Sequence, residues 1–164
     1  SALADTLSRT AGFSVVVPEV YYWDQRDSVF VFRNDNPDPS ELIRQVAVTW
    51  RTPIPGELDG EELLAWRAEL AAAHYSYPQT VDLSNAQAGP FMHERLSAYQ
   101  VQAVWQNPPD ANWPAAGPFI LWAVACPSQD RLYLLDAWLY APGREKYEYM
   151  IQLQTILESF RCGS

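Results

Sequence analysis

The sequence predicts an α+β domain: an antiparallel β-sheet with helices packed on it, as two layers or as an α-β-α sandwich. Three observations carry this. Short apolar runs, several with strict alternation, recur between breaks rich in Pro, Asn and Asp. Two longer stretches instead place apolar residues three and four apart, the period of a helix. Consecutive strands joined by short turns pair antiparallel, and helices then cover the sheet. A length of 164 residues fits one globular domain over 1–164.

In order, Ala2–Arg9 reads as a short helix with Leu3 and Leu7 four apart, ended by Gly12. Phe13–Val17 is a strand closed by Pro18. Glu19–Asp27, aromatic and polar, is an extended loop that leads into a strand at Ser28–Arg33. Asn34–Ser40 (NDNPDPS) is a turn. Arg44–Arg51 alternates, with Val46, Val48 and Trp50 on one side. TPIPGEL breaks the chain. Asp59 then caps a helix whose first turn holds Glu61 and Glu62, where the helix dipole favours negative charge. Its stripe is Leu63, Trp66, Leu70, His74 and Tyr77, and Pro78 ends it. Gln79–Pro90 is polar and small and reads as a loop. Leu96–Gln106 alternates again. Asn107–Ala116 is a Pro-rich loop carrying Trp113. Gly117–Cys126, a turn over Pro127–Asp130 and Arg131–Ala141 form a hairpin of two apolar strands. After Pro142-Gly143 a helix runs from about Arg144 to Phe160, with Met150, Leu153, Ile156, Leu157 and Phe160 as its stripe.

Composition narrows function mainly by exclusion. Net charge is −9, from 11 Lys+Arg against 20 Asp+Glu. No basic patch is there to meet a nucleic-acid backbone or an anionic membrane. No apolar run approaches the ~20 residues of a membrane-spanning helix, and Ser1–Thr10 has neither the basic start nor the apolar core of a secretory leader. Phosphate loops, dinucleotide fingerprints and nucleophile elbows are missing, so no cofactor is expected. The two histidines give no metal-ligand spacing: His74 lies on a helical stripe, and His93 in MHER reads as exposed.

The final helix needs a sheet face with small residues. In Arg131–Ala141 the odd positions offer Ala137 and Ala141, so that face is assigned to the helix, together with Phe119, Leu121, Ala123 and Ala125 of the preceding strand. The opposite face then gathers Trp122, Asp136, Trp138 and Tyr140 beside the glutamines Gln100 and Gln102. Aromatic, amide and carboxylate side chains on one face have the composition of a sugar- or peptide-binding surface. The same composition also suits a face covered by a loop or by a neighbouring domain. Asp136, alone among apolar neighbours, is the candidate for an acid or base.

The cysteines follow from lengths. The strand of eleven residues from Arg131 spans about 36 Å. The helix from Arg144 to Arg161 returns for about 27 Å. Its end therefore arrives near the Pro127 turn, which places Cys162 beside Cys126. A Cys126–Cys162 disulfide is expected in an exported protein, and two reduced thiols otherwise.

The stretch GPFILWAV, followed by DAWLYAPGREKYEYMIQLQTILESF, resembles the closing half of domain of unknown function 4837, a family of uncharacterised bacterial envelope lipoproteins. Trp105, Gly117, Pro118, Phe119, Tyr140, Ala141, Pro142, Gly143, Tyr149, Gln152 and Ile156 match its pattern. Gly12-Phe13, VFVFR and Ile54-Pro55-Gly56 also fall in order, whereas Ala116 departs from the family's Gly. The ending is more loosely similar to α/β proteins of the Mog1/PsbP type. The resemblance implies export, a lipid anchor outside this chain and a periplasmic or cell-surface setting. It covers about half of a typical member, which implies a second-half domain that packs on the other half. It implies no activity. The expectation is a non-catalytic binding or interaction domain whose partner is an envelope protein, peptide or glycan; the alternative is an envelope glycan hydrolase using Asp136.

Overall fold

The computed structural model describes residues 6, 7 and 9–163. Its strands are β1 (Phe13–Ser14), β2 (Tyr22–Arg26), β3 (Val29–Asn34), β4 (Ile43–Arg51), β5 (Thr80–His93), β6 (Leu96–Gln106), β7 (Ala116–Cys126), β8 (Arg131–Tyr140) and β9 (Arg161–Cys162). Its two full helices are α1 (Gly60–His74) and α2 (Tyr147–Glu158). Residues 6, 7, 9 and 10 are helical; the rest of the helix expected over Ala2–Arg9 lies outside the described residues.

Seven strands form one antiparallel sheet in the order β2-β3-β4-β8-β7-β6-β5, and β1 pairs with β9 beside it. β7 and β8 are the most deeply buried strands and sit in the middle, where both faces are covered; Asp136 is the charge buried within β8. One face carries α2: Leu153, Ile156, Leu157 and Phe160 pack with Tyr133, Leu135, Ala137 and Leu139 of β8 and with Phe30, Phe32, Val46 and Val48. The other carries α1: Leu63, Trp66 and Leu70 pack with Val101, Trp105, Phe119, Leu121, Leu134 and Trp138. The result is the α-β-α sandwich. Burying each such side chain stabilises by about 1.5–3 kcal/mol, so each helix is held by its stripe rather than by its propensity.

The helix ends differ in detail from the expectation. The Asp59 side chain accepts from the Glu61 N–H at 3.0 Å, an N-cap as expected. α1 stops at His74, however, and Tyr75 is already extended. Tyr77 therefore leaves the helical stripe and stands 53% exposed.

Two expected loops are edge strands. Glu19–Asp27 contains β2, paired with β3 through a two-residue turn in which Asp27 has φ 55°. Gln79–Pro90 lies almost wholly within β5, which pairs with β6 across a register shift between Asp82 and Gln87. Edge strands pair on one side only and tolerate the polar residues, Gly89 and Pro90 that argue against an interior strand. The turn closing β5 to β6 is Glu94-Arg95, both at positive φ. That is type I′ geometry without the Asn-Gly that announces it. His93, expected to be exposed, is 7% exposed: its ring Nε2 lies 2.8 Å from the Phe160 carbonyl, and its ring lies against Trp122.

Cys126 and Cys162 form a disulfide with Cα atoms 6.0 Å apart. It ties the end of β7 to β9, whose Cys162 also pairs with Phe13. The chain end after α2 is thereby held to both the sheet and the N-terminal segment.

Candidate functional site

Register decides which predicted residues meet. The hairpin between β7 and β8 closes on the pair Cys126–Arg131, with four residues between. Every odd residue of β7 therefore opposes an even residue of β8, and every even one an odd: Phe119 faces Trp138, Leu121 faces Asp136, and Trp122 faces Leu135. Odd positions of β8 do face α2, but in β7 it is the even positions that join them. Phe119, Leu121, Ala123 and Ala125 lie under α1 instead. The same register pairs Gln100 with Trp122 and Gln102 with Ile120.

The single predicted face is thus two. Trp122, Gln100 and Gln102 lie on the α2 side, where the Trp122 indole N–H donates to Gln100 Oε1 at 2.8 Å. Asp136, Trp138 and Tyr140 lie on the α1 side. An even number of turn residues inverts parity across an antiparallel hairpin. The four residues between the two strands were the signal that could have placed Trp122 correctly.

The two faces differ in access: Gln100 and Gln102 are half-buried, and Gln102 lines a cleft of about 390 Å³ with Gln87, Ile120 and Met150. Asp136 is fully buried and forms an ion pair with the equally buried Arg67 of α1, whose Nε donates to Oδ1 at 2.9 Å. Its other oxygen accepts from the Tyr75 hydroxyl. A second Arg67 nitrogen donates to Gln79 Oε1 at 2.6 Å, and the guanidinium carbon lies 4.1 Å from the centre of the Phe119 ring. Burial first, and then the neighbouring Asp136 charge, hold the Tyr75 hydroxyl well above its ordinary pKa, as a protonated donor. Asp136 is therefore a structural counter-ion. It has no exposed surface, whereas the alternative reading of it as an acid or base needs one.

Arg67 was missed, although a signal for it exists. It lies four residues after Leu63 and three before Leu70, inside the apolar stripe. A charge there needs an opposite charge on the sheet it covers, and Asp136 is the charge isolated in an apolar strand.

At the β8 end beyond this pair lies a small cleft of about 70 Å³. Its walls are Tyr75, Tyr77, Trp105, Trp113, Trp138 and Tyr140, with the amides Gln79 and Asn107 among the other lining residues. Ring centres are 5.3 Å apart for Trp105–Trp138, 5.9 Å for Tyr75–Trp138 and 5.0 Å for Tyr77–Trp113. Three segments distant in sequence build it: the chain leaving α1, the loop between β6 and β7, and the end of β8. That loop is pinned by the Asn107 side chain, which donates to the Trp113 carbonyl at 3.0 Å.

Local backbone chemistry fixes the Trp105 wall. Pro118, one position beyond the Phe119–Trp138 pair, has no N–H to offer Leu139. The Trp105 indole N–H donates to the Leu139 carbonyl instead, at 2.9 Å. Gly117 permits this, because a Cβ there would lie 1.9 Å from that carbonyl oxygen. Of the predicted residues only Trp138 and Tyr140 line the cleft. The other walls were hidden because their elements are far apart in the chain. Among the described residues no cluster of His, Cys, Asp and Glu could hold a metal ion.

The family model for Domain of unknown function (DUF4837) matches residues 1–159, so the chain belongs to that family. No curated protein sequence matches it. Among solved structures it is similar to cyanobacterial PsbP (CyanoP) from Synechocystis sp. PCC 6803, at 12% identity and a TM-score of 0.54, covering 93% of this chain and 87% of that one. It is also similar to LpqN of Mycobacterium tuberculosis, described as involved in cell envelope biogenesis, at 17% identity and a TM-score of 0.50, covering 93% and 83%. These likenesses show the PsbP-like fold.

Proposed function

We propose, from membership of the DUF4837 family, that this domain is a non-catalytic binding module of an exported envelope lipoprotein, with its ligand seated in the aromatic cleft. The observation that carries the reading is the cleft itself: six aromatic walls around a small cavity, with the one charged pair beneath it closed on itself. Such a site offers apolar faces and hydrogen-bonding groups, the Ser76 and Tyr77 hydroxyls among them, and its lining holds no carboxylate, histidine or thiol. The disulfide supports an oxidising compartment. The envelope role stated for LpqN supports the same setting by analogy of fold alone. No helix of the described residues is long and apolar enough to cross a membrane.

The test is a tryptophan-fluorescence titration of the domain with the deproteinised soluble fraction of the host envelope. A saturable change is expected, and Trp113→Ala should suppress it, since Trp113 is 45% exposed and its removal spares the core. Chromatography of the fraction before and after incubation should show it unchanged. A response indifferent to Trp113→Ala would move the site elsewhere, and consumption of a component would make the protein an enzyme.

A further inference from the structure

The two edges of the main sheet are built differently. β5 is interrupted by a register shift between Asp82 and Gln87 and carries Pro90, features that spoil an edge for further pairing. β2 has neither. Tyr22–Arg26 pairs with β3 in unbroken register, and all five of its residues are exposed. The strand shares no residue with the lining of the aromatic cleft.

Main-chain bonding and charge order define what fits this edge. The two-residue turn closes on Arg26–Val29, a pair that exchanges both main-chain bonds. Bonding alternates along an antiparallel ladder, so Tyr22, Asp24 and Arg26 spend their main-chain groups on β3, while Trp23 and Gln25 direct theirs outward. Asp24 and Arg26, two apart, share one side of the strand, opposite Val31 and Val29 of the core under α1. Among the described residues neither is in an ion pair. Arg26 Nη2 donates to the Ala73 carbonyl at 2.7 Å, and the guanidinium keeps further donors. Acid, amide and base in order read as base, amide and acid when the strand is reversed, so β2 complements its own reverse.

We infer that β2 pairs antiparallel with β2 of a second copy of this chain, about a two-fold axis through Gln25, joining two seven-stranded sheets into one. Gln25 then exchanges both main-chain bonds with its counterpart. Asp24 of each copy lies directly opposite the other copy's Arg26, twice over. An axis through Asp24 would oppose two carboxylates, and one through Arg26 two guanidiniums, both unfavourable. Val20, Tyr22 and Trp23, exposed beside the edge, add apolar and aromatic area to the contact. An extended segment of another protein also fits outward main-chain groups, but it has no need of a charge order that is its own complement.

The test is sedimentation velocity of the domain from about 1 µM to 1 mM, with far-UV circular dichroism to confirm that each variant is folded. The parent should move from monomer to dimer as concentration rises. Asp24→Arg sets cation against cation across the axis, and Arg26→Asp sets carboxylate against carboxylate. Each should weaken dimerisation at least about tenfold. An equimolar mixture of the two variants should recover it, because one then offers two cations and the other two carboxylates. Gln25→Pro removes an outward N–H, spares the ladder to β3 and should also give a monomer. A parent that stays monomeric throughout overturns the pairing and leaves the edge to solvent or to another protein. A dimer indifferent to these substitutions uses a different surface, and a mixture no tighter than either variant alone refutes the exchange of Asp24 and Arg26 across the axis.

Discussion

Replacing Arg67 with Met tests the interior more sharply than any surface change. Arg67 and Asp136 are both fully buried, joined at 2.9 Å, and Arg67 also holds Gln79 at 2.6 Å. Removing the cation strands a carboxylate in the core with only the Tyr75 hydroxyl to meet it. Breaking such a pair from one side costs about 3–5 kcal/mol, a large share of a typical domain's 5–15 kcal/mol. Asp136→Leu should cost a similar amount by stranding the guanidinium. The double variant loses both charges together and leaves only Tyr75 and Gln79 short of a partner. Its destabilisation should fall short of the sum of the two by about 3 kcal/mol. The assay is urea unfolding at pH 7 with the disulfide intact, comparing midpoints at unchanged slope. Singles that add to within about 0.5 kcal/mol would show that the two residues do not act as a pair.

Replacing Cys126 and Cys162 together with Ala should lower stability by roughly 3–4 kcal/mol, the chain entropy of a 36-residue closure; thiol-trapping mass spectrometry of protein from its native compartment should find both cysteines oxidised, and two free thiols would contradict export. Because the folded-state pKa of Tyr75 lies well above the ordinary value of 10.0, the folded state keeps a proton that the unfolded chain releases. Its contribution is fully present below pH 10 and is lost as pH rises towards the folded-state pKa, at up to about 1.4 kcal/mol per pH unit. Urea midpoints from pH 9 to 11 should fall less steeply for Tyr75→Phe than for the parent, and equal slopes would refute the assignment. Gly117→Ala drives a methyl group into the Leu139 carbonyl and should cost about 3 kcal/mol or more by thermal unfolding, whereas Gly56→Ala, with open space around it, should change little.

Much of this fold is legible in the sequence because its central elements follow simple periods. The stripe Leu63, Trp66, Leu70 and the alternation Val46, Val48, Trp50 each identify an element and the side it buries. The small residues Ala137 and Ala141 correctly point their side of β8 at α2. Legibility fails where the backbone rather than the side chains carries the structure. β5 is held as an edge strand by main-chain bonds to β6, and its turn is built from Glu94 and Arg95, which have no turn signature. Parity across the β7–β8 hairpin fails for a different reason: the four turn residues set it, whereas the face of β7 was assigned from its small residues, which moved Trp122 through the sheet.

That inversion changes where a ligand can sit. A sheet with one bare aromatic face invites either a flat surface site or a cover, and composition alone admits both. With α1 on one side and α2 on the other, the centre of the sheet has no surface left to offer, and Asp136 is consumed as the counter-ion of a helix charge. The aromatic cleft lies at the rim, where the chain leaving α1, the Trp113 loop and the end of β8 converge. The rim is also where the backbone is least regular: Pro118 withholds a donor, Trp105 supplies one, and Gly117 leaves room for it. A ladder interrupted by proline and repaired by an indole costs regularity that an ordinary strand end would keep. The interruption sets the Trp105 ring against Trp138, and these two rings form the floor of the cleft. Trp105→Phe separates the two uses of that indole. It keeps an aromatic wall but leaves the Leu139 carbonyl unpaired, so it should cost about 1–3 kcal/mol of stability in urea. Loss of ligand binding without that stability cost would mean that Trp105 contacts the ligand itself and that the carbonyl finds another donor.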